Sequence, residues 1–286
     1  MTDETVSRTL DHESFSAISN AIRLDMLEAL WMHGDATFTA LYELLDLEDT
    51  GQFTYHLNQL LDQFVYKSDG RYKLTNAGRE IVMTVLTHVD GENALQSPFV
   101  VDFSCHSCGG DVLAQSYGDW LRIDCSSCDK LYASYPVPRV GLHHHDAADF
   151  LTMFDQRLRR ENALVHRGIC PNCMCVMDCS VIPDAEPEPG LPFVFFHRCT
   201  YCRMEIYTVP ATGLLEHPEV ISFYHTHGID LYDIPHWQLD WMFDGKAIEV
   251  INEAPLEFTV DIDVDTDTLR ATLDEEGTVQ TIELFD

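Results

Sequence analysis

Cys125-Ser-Ser-Cys128-Asp-Lys-Leu-Tyr132 and Cys199-Thr-Tyr-Cys202-Arg-Met-Glu-Ile-Tyr207 repeat one local pattern. Two residues between cysteines let a tight turn aim both sulfurs at one ion, and two such turns complete a tetrahedral thiolate shell. Each segment has an upstream partner, Cys105/Cys108 and Cys170/Cys173, so eight of the ten cysteines fall into four Cys-x-x-Cys pairs. The spacing predicts two structural Zn2+ sites, one made by Cys105, Cys108, Cys125 and Cys128, the other by Cys170, Cys173, Cys199 and Cys202. An apolar residue and a tyrosine follow each second pair, and Val137-Pro138 and Val209-Pro210 close the segments. We therefore read two copies of a zinc ribbon, at 99–138 and 167–210, with Trp120, Tyr132, Tyr135 and Tyr207 supplying the small core that a ribbon lacks.

Disulfides, an iron–sulfur cluster and redox-active dithiols are the competing readings of these cysteines. The chain opens Met1-Thr-Asp-Glu4 without a basic, apolar leader, and nowhere does it offer the roughly 20 apolar residues of a membrane span. The expectation is a cytoplasmic protein with no membrane partner, where thiols stay reduced. Cys175 and Cys179 lie outside both sets. They read as small packing residues beside a knuckle, with spare ligation or metal sensing as the alternative.

The 286 residues carry 48 Asp and Glu against 17 Lys and Arg, a formal net charge of −31, and the acids are spread along the whole length. Such a chain repels itself in dilute salt, but at 1 M salt the Debye length is only about 3 Å, so multimolar salt silences the repulsion. Halophilic adaptation explains this balance better than an acidic function does. In a salty cytoplasm counterion release contributes little to DNA affinity, so acidity does not exclude a DNA-binding role.

Residues 10–90 read as a compact helical unit ending in a hairpin. Phe15, Ile18, Ile22, Met26, Leu27 and Leu30 recur at helical spacing until Gly34, and Phe38, Leu41, Leu44 and Leu45 mark a second helix. A third helix, expected over 50–64, turns Phe53, Leu57, Leu60, Leu61 and Phe64 inward and Gln52, Thr54, Tyr55, Asn58 and Gln59 outward. Val65-Tyr-Lys-Ser68, the turn pair Asp69-Gly70 and Arg71-Tyr-Lys-Leu74 make a hairpin, and Thr75 or Asn76 caps a closing helix through Ile81, Val82, Val85 and Leu86. Three helices, a hairpin and a closing helix compose a winged helix-turn-helix.

Ile18-Ser-Asn-Ala-Ile-Arg-Leu-Asp-Met-Leu27 resembles the first-helix signature of ArsR-type regulators, Gln52-Phe-Thr-Tyr-His-Leu57 resembles their recognition helix, and Leu74-Thr-Asn-Ala-Gly-Arg79 the segment after their wing. With the zinc pairs and the acidity, the chain resembles a haloarchaeal ArsR-like regulator family. The resemblance covers the first third, and no cysteine lies there to match that family's metal-sensing thiols. It implies sequence-specific binding of double-stranded DNA, usually by a homodimer reading two half-sites. Gln52, Thr54, Tyr55 and Asn58 would face base edges, His56 would lie near the DNA backbone, and Lys67, Arg71 and Lys73 would carry the wing onto the phosphates. Read from its place between Phe53 and Leu60 alone, His56 is equally a partly buried, hydrogen-bonded packing residue.

Beyond the ribbons, 146–166 reads as a linking helix with Asp146 and Asp149 near its start and Arg157, Arg159 and Arg160 near its end, an order that complements the helix dipole. His143 to His145 and the pair His225/His227 read as loop and helix-end histidines rather than ligands, and Asp184 to Pro192 as a loop. Residues 212–286 hold a helix from Pro218 closed by Gly228, a second from Pro235 through Trp237 and Trp241, and four strands with a carboxylate-rich wet face. No catalytic motif is present, and the expectation is a non-enzyme. The expected fold class is α+β: winged helix-turn-helix, two four-cysteine zinc ribbons joined by a helix, and a C-terminal helix plus antiparallel β-sheet. The alternatives are a basal factor resembling archaeal transcription factor E alpha, working with the transcription machinery, and an adaptor that docks proteins.

Overall fold

The architecture is described from a computed structural model over residues 12–87, 95–183 and 190–285. The N-terminal tetrapeptide, the outer residues of the segment expected over 10–90 and residues 184–189 of the Asp184 to Pro192 loop lie outside the described residues. The chain is α+β, with four antiparallel sheets among the described residues, and divides into two compact units, 1–91 and 92–286. No helix among the described residues is long and apolar enough to cross a membrane.

The first unit runs α1 (His12–Ile18), α2 (Ala21–His33), β1 (Asp35–Thr37), α3 (Phe38–Glu43), α4 (Thr50–Leu60), β2 (Val65–Ser68), β3 (Arg71–Leu74) and α5 (Asn76–Leu86). The first expected helix is in fact two. Asn20 is extended, the Ser19 hydroxyl and the Arg23 guanidinium both donate to the Ser16 carbonyl (3.0 and 2.6 Å), and Phe15 stays exposed rather than joining the core. Side-chain oxygens of Thr37, Asp49 and Thr75 cap α3, α4 and α5, each accepting an orphan amide.

Helix α4 stops at Leu60, four residues before the expected end, because Leu61 is extended and Asp62 turns to φ +67° with its N–H on the Val65 carbonyl (2.8 Å). Asp69 and Gly70, both at positive φ, form the hairpin turn that their pairing predicts. The hairpin is joined by β1, giving the order β1-β3-β2 through Asp35↔Lys73 and Thr37↔Arg71. Gly78 lets α5 pack onto this sheet, since a Cβ there would lie 2.2 Å from the Phe64 carbonyl oxygen. Met26, Leu27, Leu30, Leu41, Phe53 and Leu60 form the core.

The second unit begins with β4 (Phe99–Ser104), β5 (Asp111–Tyr117), β6 (Trp120–Cys125) and β7 (Leu131–Pro136), paired in that order. Next come α6 (Arg139–His144), which takes in His143 and His144 where a loop was expected, and α7 (Ala147–Val165), capped by the Asp146 carboxylate on the Asp149 N–H. β8 (Met177–Pro183), β9 (Phe193–Cys199) and β10 (Glu205–Thr208) form a three-stranded sheet in the order β10-β9-β8.

Helix α8 (Pro218–Thr226) ends before Gly228, as expected. The helix expected from Pro235 is only a 3-10 turn, His236–Gln238, and a one-turn α9 (Asp240–Phe243), which bury Trp237 and Trp241. β11 (Ile248–Glu253), β12 (Leu256–Val264), β13 (Asp267–Asp274) and β14 (Val279–Phe285) close the chain as a meander. Phe258, Val260 and Ile262 of β12 point inward. On the wet face Arg270 holds Asp261 through two 2.7 Å hydrogen bonds. Buried residues from 99–138, 146–166, 167–210 and 212–286 share one continuous core.

Candidate functional site

All four Cys-x-x-Cys segments fold into the same turn. The N–H of each first cysteine donates to the carbonyl five residues on: Cys105 to Gly110 (2.9 Å), Cys125 to Lys130 (2.9 Å), Cys170 to Cys175 (2.8 Å) and Cys199 to Met204 (2.9 Å). The residue after each second cysteine is left-handed: Gly109 (φ +72°), Asp129 (+56°), Met174 (+61°) and Arg203 (+65°). For the three non-glycines that conformation costs on the order of 1 kcal/mol each, a strain that persists only where surroundings over-determine it. A second repeat locks the turns together. Ser126 bonds the Asp111 carbonyl through its N–H (2.9 Å) and hydroxyl (3.0 Å), and Thr200 bonds the Val176 carbonyl in the same two ways, both 3.0 Å.

These turns bring the eight predicted cysteines into two groups of four, with all sulfurs of a group within 4.8 Å of one another. Cys105 and Cys128 are 3.6 Å apart and Cys108 and Cys125 3.4 Å; Cys170 and Cys202 are 3.6 Å apart and Cys173 and Cys199 3.5 Å. A tetrahedral shell with metal–sulfur bonds of about 2.3 Å has sulfurs about 3.8 Å apart, so each group fits one ion. No histidine belongs to a metal-competent group among the described residues. His227, for one, is held by the Phe223 carbonyl (2.8 Å) and Asp267 (3.0 Å).

Four thiols this close oppose one another's ionisation. Burial disfavours the Cys105 thiolate, but the Tyr132 hydroxyl and the Cys108 and Ser107 amides outweigh it and bring that thiol to about 6. At Cys128 the Lys130 amide favours the thiolate, yet burial and the three neighbouring sulfurs push it up to about 12. Burial likewise holds Cys170 up to about 12. A divalent cation removes this conflict, because a metal-bound thiol is deprotonated outright.

The surroundings of the two groups differ. Beside the first, a register shift between β6 and β7 leaves Tyr132 as an extra residue between Leu131 and Ala133, and its hydroxyl donates to Cys105 Sγ at 3.3 Å. Lys130, 3% exposed, donates to Ser107 Oγ (3.1 Å) and the Phe243 carbonyl. Counted from the knuckle, the second group has Met204 and Ile206 at these places. Tyr207, read from sequence as the partner of Tyr132, pairs with Phe196 and is exposed, as is Trp120, so neither supplies core. The second group has a further cysteine instead, Cys175, half-buried two residues past Cys173. Cys179 sits on β8 opposite His197 and outside both groups.

Two buried polar constellations were invisible in the sequence. Arg159, expected to complement a helix dipole, is 1% exposed and bonds Asp155 (2.8 Å) and the Ile234 carbonyl (2.6 Å). Asp155 also accepts from the His236 N–H (2.8 Å) and lies 2.6 Å from its Nδ1. Burial opposes its charge, but His236 and Arg159 hold it below the usual carboxylate range. Under the second cysteine group, His197 bonds Thr208 (2.9 Å), while both ring nitrogens of His166 are buried without a protein hydrogen-bond partner. Burial lowers His166 to about 4, and burial together with His166 lowers His197 to about 3.

On α4, Gln52, Thr54, Tyr55, Asn58 and Gln59 are exposed on one side, opposite buried Phe53, Leu57 and Leu60. His56 does not share that face. Its side chain is 8% exposed with Nδ1 buried, and burial followed by the nearby Arg23 charge lowers its pKa. On the hairpin, Asp35 takes Arg71 at 2.7 Å and Lys73 at 3.7 Å, and the Arg71 hydrogen bond keeps the Asp35 carboxyl below its usual range. Lys67 lies 5.0 Å over the Tyr72 ring.

A family model described as a domain of unknown function (DUF7351) matches residues 102–279, more than half of the chain and nearly all of the second unit. The chain belongs to the DUF7351 family. The DUF7351 match takes in both cysteine groups, α7 and most of the closing sheet, consistent with their common core. A second domain of unknown function (DUF7347) matches residues 11–85, within the first unit. No curated protein and no solved structure matches the chain.

Proposed function

We propose that the protein is a sequence-specific, DNA-binding transcriptional regulator of a halophilic archaeon, of ArsR-like type. In this reading residues 12–87 are a winged helix-turn-helix, α4 enters the major groove and the β2–β3 hairpin rests on the adjacent backbone. The observation that carries it is the α4 face: amide and hydroxyl side chains stand outward, anchored by an apolar face and followed at once by a tight hairpin. Zn2+ is the ion proposed for the two four-cysteine groups, because four thiolates in tetrahedral array suit it and complete a closed structural shell. Those groups would make two zinc ribbons that brace the second unit, without catalysis. A homodimer in the cytoplasm, reading two half-sites, completes the proposal.

One observation favours docking on protein, as an adaptor or a basal factor: Asp35 pairs with two of the three wing cations on which phosphate contact would rest and cancels one of their charges. Genome-wide occupancy separates the readings. A few discrete sites support the regulator, nearly every promoter the basal factor, and no DNA crosslinking the adaptor. Within the regulator reading, Thr54, Tyr55 and Asn58 replaced together by Ala should abolish specific binding in multimolar KCl at unchanged fold. Retained binding rejects α4 as the reading helix. Asp35→Asn, which frees Arg71 and Lys73, should tighten DNA binding and steepen its salt dependence, and no change rejects the hairpin contact.

A further inference from the structure

The β4-β5-β6-β7 sheet turns an aromatic face to solvent. Strand pairing lays its outward side chains in rows: Tyr117 lies opposite Trp120, Leu113 opposite both Val100 and Asp124, and Arg122 between those two rows. Side chains directly opposite one another have Cβ atoms about 5 Å apart, so each row is a continuous contact. The alternate residues Val112, Ala114, Leu121 and Ile123 are buried, which makes this the outer face. On it Val100, Tyr117 and Trp120 are 57%, 58% and 47% exposed. The β10-β9-β8 sheet is covered at the equivalent place. Val194 stands five residues before Cys199, as Trp120 stands five before Cys125, and it is 1% exposed.

Charge selects what can cover the open face. The chain carries a net −31, yet these rows hold one cation and one anion, Arg122 and Asp124, paired with each other. A patch with no net charge, holding apolar groups and both signs, is complementary to its own image across a two-fold axis. Multimolar salt screens the rest of the two acidic chains to within about 3 Å. Four strands about 4.8 Å apart, seven residues long at about 3.3 Å each, span about 19 by 23 Å. Two such faces in contact remove on the order of 1,000 Å² from water, the lower bound of a specific interface. We propose that a second copy of the chain covers this face, with Trp120 and Tyr117 as anchors and Arg122 of each copy reaching Asp124 of the partner subunit. Tryptophan, tyrosine and arginine are the residue types that concentrate binding energy at interfaces.

The inference rests on the homodimer of the proposed regulator and names its surface. Sedimentation velocity of the full-length protein over a concentration series in multimolar KCl gives the dimer constant. Trp120→Ser and Tyr117→Ser should each weaken the wild-type dimer by about thirtyfold or more, with circular dichroism and melting temperature unchanged because both side chains lie outside the core. Arg122→Asp should weaken it too, and adding Asp124→Arg should restore it. A dimer unmoved by the Trp120 and Tyr117 variants, or an Arg122 defect that the second change does not restore, overturns this interface while leaving the homodimer reading intact. A monomeric wild type overturns both. If that monomer binds fluorescein-labelled oligothymidylate and Trp120→Ser does not, the face stacks unpaired bases instead of a second copy.

Discussion

The two halves of the second unit hold the same knuckles on unequal scaffolds. In the first half the chain enters along β4, which pairs with β5 to complete a four-stranded sheet; in the second it enters from α7, and a single bridge, Ile169↔Val176, stands where the fourth strand would be. The turn hydrogen bonds nevertheless agree, 2.9 and 2.9 Å against 2.8 and 2.9 Å. A Cys-x-x-Cys turn is therefore a local device, complete within about six residues, and the scaffold around it is free to differ. What differs is chemistry. The first group receives a phenol hydroxyl and has a buried lysine nearby, whereas the second has neither and is flanked in sequence by two buried imidazoles, His197 on β9 and His166 at the end of α7.

The largest effect that can break this comparison is metal removal. A structural zinc shell is worth on the order of 10 kcal/mol in small domains, so a strong chelator should unfold the second unit while the first keeps its helices. Hydrogen exchange should show amides of β8 to β10 losing protection before those of β5 to β7. Simultaneous loss would mean that the shared core, rather than the fourth strand, governs both halves.

Acid comes next. His197 occupies the place of buried Ile123, each two residues before the first cysteine of a knuckle, and it packs against His166. Both histidines are held below their unfolded pKa, so the unfolded chain binds more protons between about pH 6.5 and 4. Stability is full above about 6.5 and falls on acidification through that window. Two protons over 1.5 pH units amount to on the order of 4 kcal/mol at pH 5. Asp155, whose pKa is depressed, adds a loss only below about pH 4. Thermal melts in high salt at pH 7 and pH 5 should show the drop in the wild type and about half of it in His197→Ile, where His166 alone remains. An equal drop in both proteins would clear the imidazole pair of responsibility.

A smaller effect sharpens the other side. Tyr132→Phe removes the hydroxyl from Cys105 while keeping the ring among Phe103 and Phe243, and should cost about 2 kcal/mol and loosen only the first metal. Competition with a chromogenic chelator should show one of two metals exchanging faster than in the wild type. If neither or both shift, the hydroxyl does not distinguish the groups.

Much of this was legible in the chain because the signals are short-ranged. The cysteine spacing placed every member of both groups, Asp69-Gly70 placed the hairpin, and the alternation in β12 placed the closing sheet. The α4 period likewise sorted Gln52, Tyr55 and Asn58 from Phe53 and Leu57, but it could not separate His56 from its exposed neighbours, because that residue lies at the edge of the apolar face. The break at Ser19 and Asn20 hid inside an unbroken helical period, since a hydroxyl competing for one backbone carbonyl leaves no trace in hydrophobicity.

Other features had no short-range signal. β1 exists because Asp35 to Thr37 meets β3 across more than thirty residues, and that meeting also pairs Asp35 with Arg71 of the hairpin. The Asp155–His236 contact spans 81 residues, and Arg159 is buried only because the segment after α8 returns to cover it. Tyr132 reaches Cys105 because one residue is extra in the pairing of β6 with β7, so the match with Tyr207 that counting implies is false.

Local spacing and periodicity thus settled which residues make the knuckles, the outward face of α4 and the wet face of the sheet, because each depends on turns and dihedrals within a few residues of one another. Which wing-hairpin cations are paired, which tyrosine reaches a cysteine and which histidines are shut from water depended on segments far apart in the chain. Only their packing sets the distances and burial on which charge and reactivity rest.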